Sequence, residues 1–214
     1  MVFLPVVIIF IVFIFIAIWA VRREKKRTEA LQAIAAHLGF EFSNDDDVRP
    51  DARYQHLKLF DRGRNKEINN VMTAAKGERS MSLFDYSFVT GSGKQRSTHY
   101  QSVLLLEDVN LDLPEFTLQP ETMFHRLGKV FIGEDIDFDE HPQFSKKYFL
   151  KSDSEPAVRA MFAGDLARFF EANPGWTVES DQGILLVYRY GKRPKAADYE
   201  AFVKGTLGIV QQLT

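Results

Sequence analysis

The chain has 214 residues, 27 basic and 29 acidic side chains for a formal net charge of −2, and nineteen Phe, most of which a folded domain must bury. It has no cysteine, which excludes disulfides, thiolate zinc sites, iron–sulfur clusters and a cysteine nucleophile. The charge is unevenly placed. Met1–Val21 has none, five of the six residues Arg22–Arg27 are basic, and Thr28–Thr214 holds 22 basic and 28 acidic residues, a net of −6. An acidic body of this kind argues against nucleic-acid binding, which needs a basic face.

Met1–Val21 is almost wholly Val, Ile, Phe, Leu and Ala. As a helix, twenty-one residues span roughly 30 Å, the thickness of a bilayer's hydrocarbon core. No Lys or Arg precedes the run, and Ala17-Ile18-Trp19-Ala20 is a poor cleavage site, so a retained transmembrane helix is expected rather than a signal peptide. Pro5 falls in the first turns and Trp19 at headgroup level. Arg22, Arg23, Lys25, Lys26 and Arg27 form a basic collar. Such residues stay on the cytoplasmic side and contact anionic headgroups. The expectation is a single-pass protein of the plasma membrane, N-terminus outside, with its C-terminal domain in the cytoplasm.

Thr28–Leu38 has apolar residues at helical spacing (Leu31, Ile34, Ala35, Leu38) and Gly39 as its stop, with no breaker separating it from the span. Residues 22–39 thus read as a basic juxtamembrane segment and connecting helix, and residues 40–214 as one domain. Phe40–Phe42 reads as a short strand and Ser43–Arg53 as a loop. Strands are expected at Tyr54–Phe60, Glu67–Ala75, Arg79–Thr90 and His99–Glu107, with turns at Asp61–Asn65, Lys76–Glu78 and Gly91–Gly93. Leu113–Glu121 is a short extended piece between prolines, Glu121–Leu127 a helical turn or two, and Phe144–Leu150 a strand. Glu155–Asn173 reads as one helix, capped by Asp153 or Ser154 and stopped by Asn173-Pro174-Gly175. A hairpin around Asp181–Gly183 joins Trp176–Glu179 to Ile184–Tyr190, and Asp198–Leu213 closes the chain as an amphipathic helix. The fold class is α+β, an antiparallel β-meander with packing helices.

Chemical motifs are sparse. Gly91-Ser92-Gly93-Lys94 fails as a phosphate loop, because Phe88 and Gln95 stand where Gly and Ser or Thr are required. Glu134–His141 looks like a cation site, but an EF-hand loop started at Asp135 fails at its sixth and twelfth positions, Glu140 and Lys146, and the stretch reads as an edge strand with acids in solvent. Asp85 lies in the most aromatic strand. If Gly91–Gly93 alone forms the turn, Asp85 faces His99, and a carboxylate beside an imidazole suits acid–base work. Against that stand a structural pair or a solvent-facing Asp. His37, His56, His125 and His141 are isolated, and no serine lies in a nucleophile elbow. No metal or cofactor is expected.

The span, the collar, Leu38-Gly39-Phe40, Leu83-Phe84-Asp85-Tyr86 before Thr90-Gly91-Ser92-Gly93, Phe116–Glu121, and Phe144–Leu150 with the helix through Arg159 and Phe162 together form a pattern. It resembles a family of uncharacterised bacterial single-span membrane proteins with a domain of unknown function. The resemblance implies a bacterial, membrane-anchored protein and supplies no catalytic residue. The leading functional expectation is a membrane-anchored binding or assembly module, with the bilayer (through residues 1–27) and a protein at the membrane as partners. The alternatives are a membrane-tethered, hydrolase-like enzyme using Asp85 and His99, and a domain that senses anionic lipid through the collar.

Overall fold

The structure is a computed structural model that describes residues 3–44, 52–123 and 135–214. It is α+β, as expected. One helix, α1 (Phe3–Leu38), runs unbroken for 36 residues. Gly39 ends it at φ +77°, while Phe40 N–H donates to the Ala35 carbonyl at 2.8 Å. This is the glycine-terminated helix end that an L-residue with a Cβ disfavours.

Among the described residues, eight strands form one antiparallel sheet: β1 (Glu41–Ser43), β2 (Arg64–Lys76), β3 (Arg79–Thr90), β4 (Ser97–Asp108), β5 (Phe116–Pro120), β6 (Tyr148–Lys151), β7 (Thr177–Asp181) and β8 (Ile184–Tyr188). Their spatial order is β1-β2-β3-β4-β8-β7-β5-β6. The late β7–β8 hairpin therefore inserts between β4 and β5. Gln182 and Gly183 turn it with φ of +47° and +79°, the two positive values that a type I′ turn requires.

Strand residues alternate between two cores. Leu83, Leu104, Leu106, Leu185 and Val187 face the larger one, which is covered by Leu31 and Ala35 of α1 and by four further helices: α3 (Pro142–Lys147), α4 (Glu155–Phe162), α5 (Asp165–Ala172) and α6 (Tyr199–Leu213). Phe84, Tyr86, Phe88, Val103, Leu105, Leu186 and Tyr188 face the other side. There a thin cover packs on them, built from Tyr54, Leu57, Leu59 and Phe60 and including the single turn α2 (Lys58–Asp61).

Four elements differ from expectation. Tyr54–Phe60 is a 3-10 turn leading into α2, not a strand, because its apolar residues pack down onto a sheet already complete. Phe144–Leu150 is mostly helix, with strand only from Tyr148, since Pro142 opens a turn whose Phe144 fills the larger core. Glu155–Asn173 is two helices, broken at Gly164 (φ +101°), which lets both bury an apolar face. Asp135–Glu140 forms no strand, and Asp135 instead accepts a bond from Leu150 N–H at 2.8 Å. Most of the Ser43–Arg53 loop, the end of the Glu121–Leu127 turn, His125 and Glu134 lie outside the described residues.

Side chains are described from Val7. From there to Val21 the uncharged run is fifteen residues, about 22 Å of helix, before Arg22 interrupts it. Among the described residues, no helix is long and apolar enough to cross a membrane. These side chains nonetheless touch little of the domain. Val7–Ile16, Ile18, Trp19 and Val21 are all exposed, Trp19 at 63%.

Candidate functional site

Two turns past the apolar run, Arg27 points inward. Its Nε and Nη2 donate to the two carboxylate oxygens of Asp85 at 2.7 and 2.9 Å, and its Nη1 donates to the Pro194 carbonyl at 2.6 Å. The guanidinium also lies 5.8 Å from the Tyr199 ring centroid. The pair is nearly closed to water, with side chains 9% and 4% exposed. Burial opposes the arginine's charge, but the bonded Asp85 carboxylate more than offsets it, so the guanidinium is held protonated even more firmly than usual.

β2 supplies a third partner through an irregularity. Its pairing with β3 slips between Asn69 and Met72, and Asn70 sits at φ +55°. Asparagine tolerates that conformation, and bulges of this kind re-aim a side chain. Here Asn70 Nδ2 donates to Asp85 Oδ2 at 3.0 Å, and from β4 Ser102 Oγ donates to Oδ1 at 2.6 Å. Each Asp85 oxygen thus accepts two bonds, the full complement of an ionised carboxylate. With both oxygens engaged in this way, Asp85 is a latch between α1 and the sheet.

The expected pairing of Asp85 with His99 is corrected. Asp85 stands opposite Ser102, and His99 stands opposite Phe88. Lys94, Gln95 and Arg96 belong to the loop, where Gly93–Gln95 makes a 3-10 turn, so the register moves by three residues. An odd shift changes faces. His99 is on the side away from α1, stacked on Phe88 at 4.9 Å, with Nε2 bonded to Thr90 Oγ1 at 2.8 Å and Nδ1 to Tyr190 Oη at 3.3 Å. Burial and the nearby Arg62 lower its pKa, which favours the neutral ring. The same face buries Glu179, which accepts from Leu59 N–H at 3.1 Å and Tyr188 Oη–H at 2.7 Å. Burial raises its pKa against the opposing effects of those bonds and Arg62. That network ties the α2 cover to the sheet.

The basic collar is divided. Arg22, Arg23, Lys25 and Lys26 are exposed, and Arg23 lies over the Trp19 ring at 5.6 Å. Arg27 is committed to Asp85 and cannot contact a headgroup, a correction to its expected role. Glu24 pairs with Arg193 at 2.7 Å, which brings the loop after β8 beside α1. Among the described residues, no group of three or more metal-ligating side chains is placed to hold a metal ion.

Two cavities flank this junction. One, about 420 Å³, lies between α1 and the bulge, lined by Glu24, Thr28, Asn70, Asp85 and Tyr100 among others. The second, about 690 Å³, opens beside α6 and the loop after β8. Trp176 and Phe202 line it, their rings 5.9 Å apart, with Arg189 over Trp176 at 4.2 Å and Lys192 and Arg193 close by. Sequence reading placed Arg27 in the collar rather than at Asp85, and passed over Asn70, Ser102 and this second cavity. The bulge left one signal, a polar Asn69-Asn70 inside an alternating strand. The cavity left none, because its walls come from three distant segments.

No family model matches the chain, and no curated protein matches it. A solved structure resembles it: the crystal structure of the mycobacterial trehalose monomycolate transport factor A, TtfA, with a TM-score of 0.56 at 12% identity, covering 88% of this chain and 96% of that one. At that identity the likeness shows a shared fold alone.

Proposed function

We propose that this protein is a single-pass, membrane-tethered module whose α+β domain binds a protein partner at the cytoplasmic face of a bacterial inner membrane. The observation that carries the reading is the exposure of every large apolar side chain in α1 from Val7 to Ile16, on all sides of the helix. A helix apolar all round needs a protein core or a lipid environment, and among the described residues the domain leaves this stretch exposed. Together with Met1–Val6, the uncharged run reaches the length of a span. Arg22 and its neighbours favour a cytoplasmic domain. The Arg27–Asp85 latch lies six residues beyond Val21, about 9 Å along the helix, so the domain would be held close to the surface at a set angle. Such tethering raises the effective concentration of a membrane partner without added contact area.

The test uses the full chain. It should resist alkaline extraction from membranes. A single cysteine at exposed Lys204, in a chain with no native cysteine, should react with a membrane-impermeant maleimide only after the cells are opened. In-membrane cross-linking should then join it to one stoichiometric protein. Release at alkaline pH would refute the tether, labelling of intact cells would refute the orientation, and self-links alone would refute the partner. The enzyme reading gains no support from the Asp85 and His99 geometry.

A further inference from the structure

We infer that the larger cavity is a binding site for a single-chain anionic amphiphile, its apolar chain against Phe202, Trp176 and Met123 and its anionic head on Arg189 and Lys192. At about 690 Å³ it falls in the size range of small-molecule sites. Its chemistry is two-sided. Trp176 and Phe202 make an apolar floor, and Trp176 is 5% exposed and backed by Gly205, where a Cβ would come within 2.8 Å of the indole. Three cations line the same cavity against one acid, Asp198. Arg193 is met by Glu24, whereas among the described residues neither Arg189 nor Lys192 has an acidic partner. Two cations without an acidic partner, one of them stacked on the Trp176 face, beside an apolar floor in a body of net charge −6, form a local trap for an anion that carries a chain.

Position supplies the second argument. The loop holding Lys192 is pinned to α1 by Arg193 to Glu24 and by Arg27 to the Pro194 carbonyl. Glu24 is three residues past Val21, so the cavity stands beside the end of the apolar run. This placement at a membrane surface rests on the tether proposed above. The cavity's own chemistry does not.

The experiment uses the full-length chain carrying Trp19→Phe, in neutral micelles. Of the two tryptophans only Trp176 then remains, in the cavity itself. Octyl phosphate, octyl glucoside and inorganic phosphate are titrated separately while Trp176 emission is followed. The expected result is a saturable change with octyl phosphate, at a Kd at least about tenfold below that for either other probe. Arg189→Gln with Lys192→Gln should weaken it about tenfold. Ala201→Phe, which fills the cavity from an exposed position on α6, should abolish it while leaving both cations in place, and it serves as the test if the double variant does not fold. An equal response to octyl glucoside, an equal response to inorganic phosphate, no saturable response, or unchanged binding by the folded variants would each overturn the proposal. Flotation of the same protein on phosphatidylcholine vesicles reads the tether separately. Flotation without octyl phosphate binding refutes the site alone, and binding without flotation refutes the tether alone.

Discussion

Replacing Asp85 with Ala removes the acceptor of four hydrogen bonds, from Arg27 Nε, Arg27 Nη2, Asn70 Nδ2 and Ser102 Oγ. It leaves a guanidinium that is only 9% exposed with the Pro194 carbonyl at 2.6 Å and Ser102 Oγ at 3.5 Å as its hydrogen-bond acceptors. Breaking a buried pair on one side costs about 3–5 kcal/mol, since the remaining charge stays buried without compensation. The two neutral donors would add about 1 kcal/mol each if they found no water. With water reaching both donors, the expected loss is about 4 kcal/mol, a large fraction of the stability of an ordinary domain. Arg27→Met should cost a similar amount by stranding the carboxylate. The double variant Arg27→Met with Asp85→Ala strands neither charge and should lose less than either single change, giving a coupling of at least about 4 kcal/mol. Urea unfolding of the full-length chain in neutral micelles, followed by Trp176 emission, gives all four corners of the cycle. A loss below about 1 kcal/mol for Asp85→Ala, or single effects that add to within about 0.5 kcal/mol, would sink the latch. Spin labels on cysteines at exposed Lys26 and Lys195 supply a geometric check, because the distance distribution should broaden in Asp85→Ala.

Three further outcomes are expected. Partial burial, outweighing the bond from Leu150 N–H and joined by repulsion from Asp137 and Glu121, raises the Asp135 pKa from 3.8 to about 6. Its neutral form is thus favoured in the fold, so this contribution is complete below about pH 4 and is lost as pH rises through about 6. Asp135→Asn keeps an acceptor for Leu150 and should raise the unfolding free energy at pH 7.5 but not at pH 4, by about 1 kcal/mol or less after solvent screening. An equal shift at both pH values would refute the assignment. Gly205→Val places a side chain on the rigid Trp176 ring, with its Cβ at 2.8 Å, and should destabilise by about 2–3 kcal/mol while moving Trp176 emission. An unchanged unfolding midpoint would show that α6 has room to shift. Glutamine at Arg22, Arg23, Lys25 and Lys26 together should reduce preference for anionic over neutral vesicles with the unfolding midpoint unchanged, and adding Arg27→Gln should lower the midpoint. A midpoint lowered by the first four alone would show that they too hold the domain.

Much of this molecule was legible in local pattern. β3 begins and ends where alternation and flanking turns put it, at Arg79 and Thr90, and α6 ends at Leu213 as its apolar stripe requires. The β7–β8 hairpin follows from Gln182-Gly183, and the single rod of α1 from the lack of any breaker between Val21 and Leu38. These features depend on neighbours a few residues apart, so composition and periodicity carry them. The β3–β4 register does not. Period-two alternation says that faces alternate but not where a loop returns to pairing, and three loop residues separate Asp85 facing His99 from Asp85 facing Ser102. The same holds for the breaks at Gly164 and Tyr148, where local helical and strand preferences yield to the shape of a shared core. The sequence by itself determined an uncharged N-terminal run, a basic collar and an acidic α+β body. Only tertiary structure decided that Arg27 leaves the collar to meet Asp85, 58 positions away, and that Trp176, Arg189 and Phe202 wall one cavity. Such contacts arise from the order in which strands join the sheet, a property of the whole chain that no local window contains.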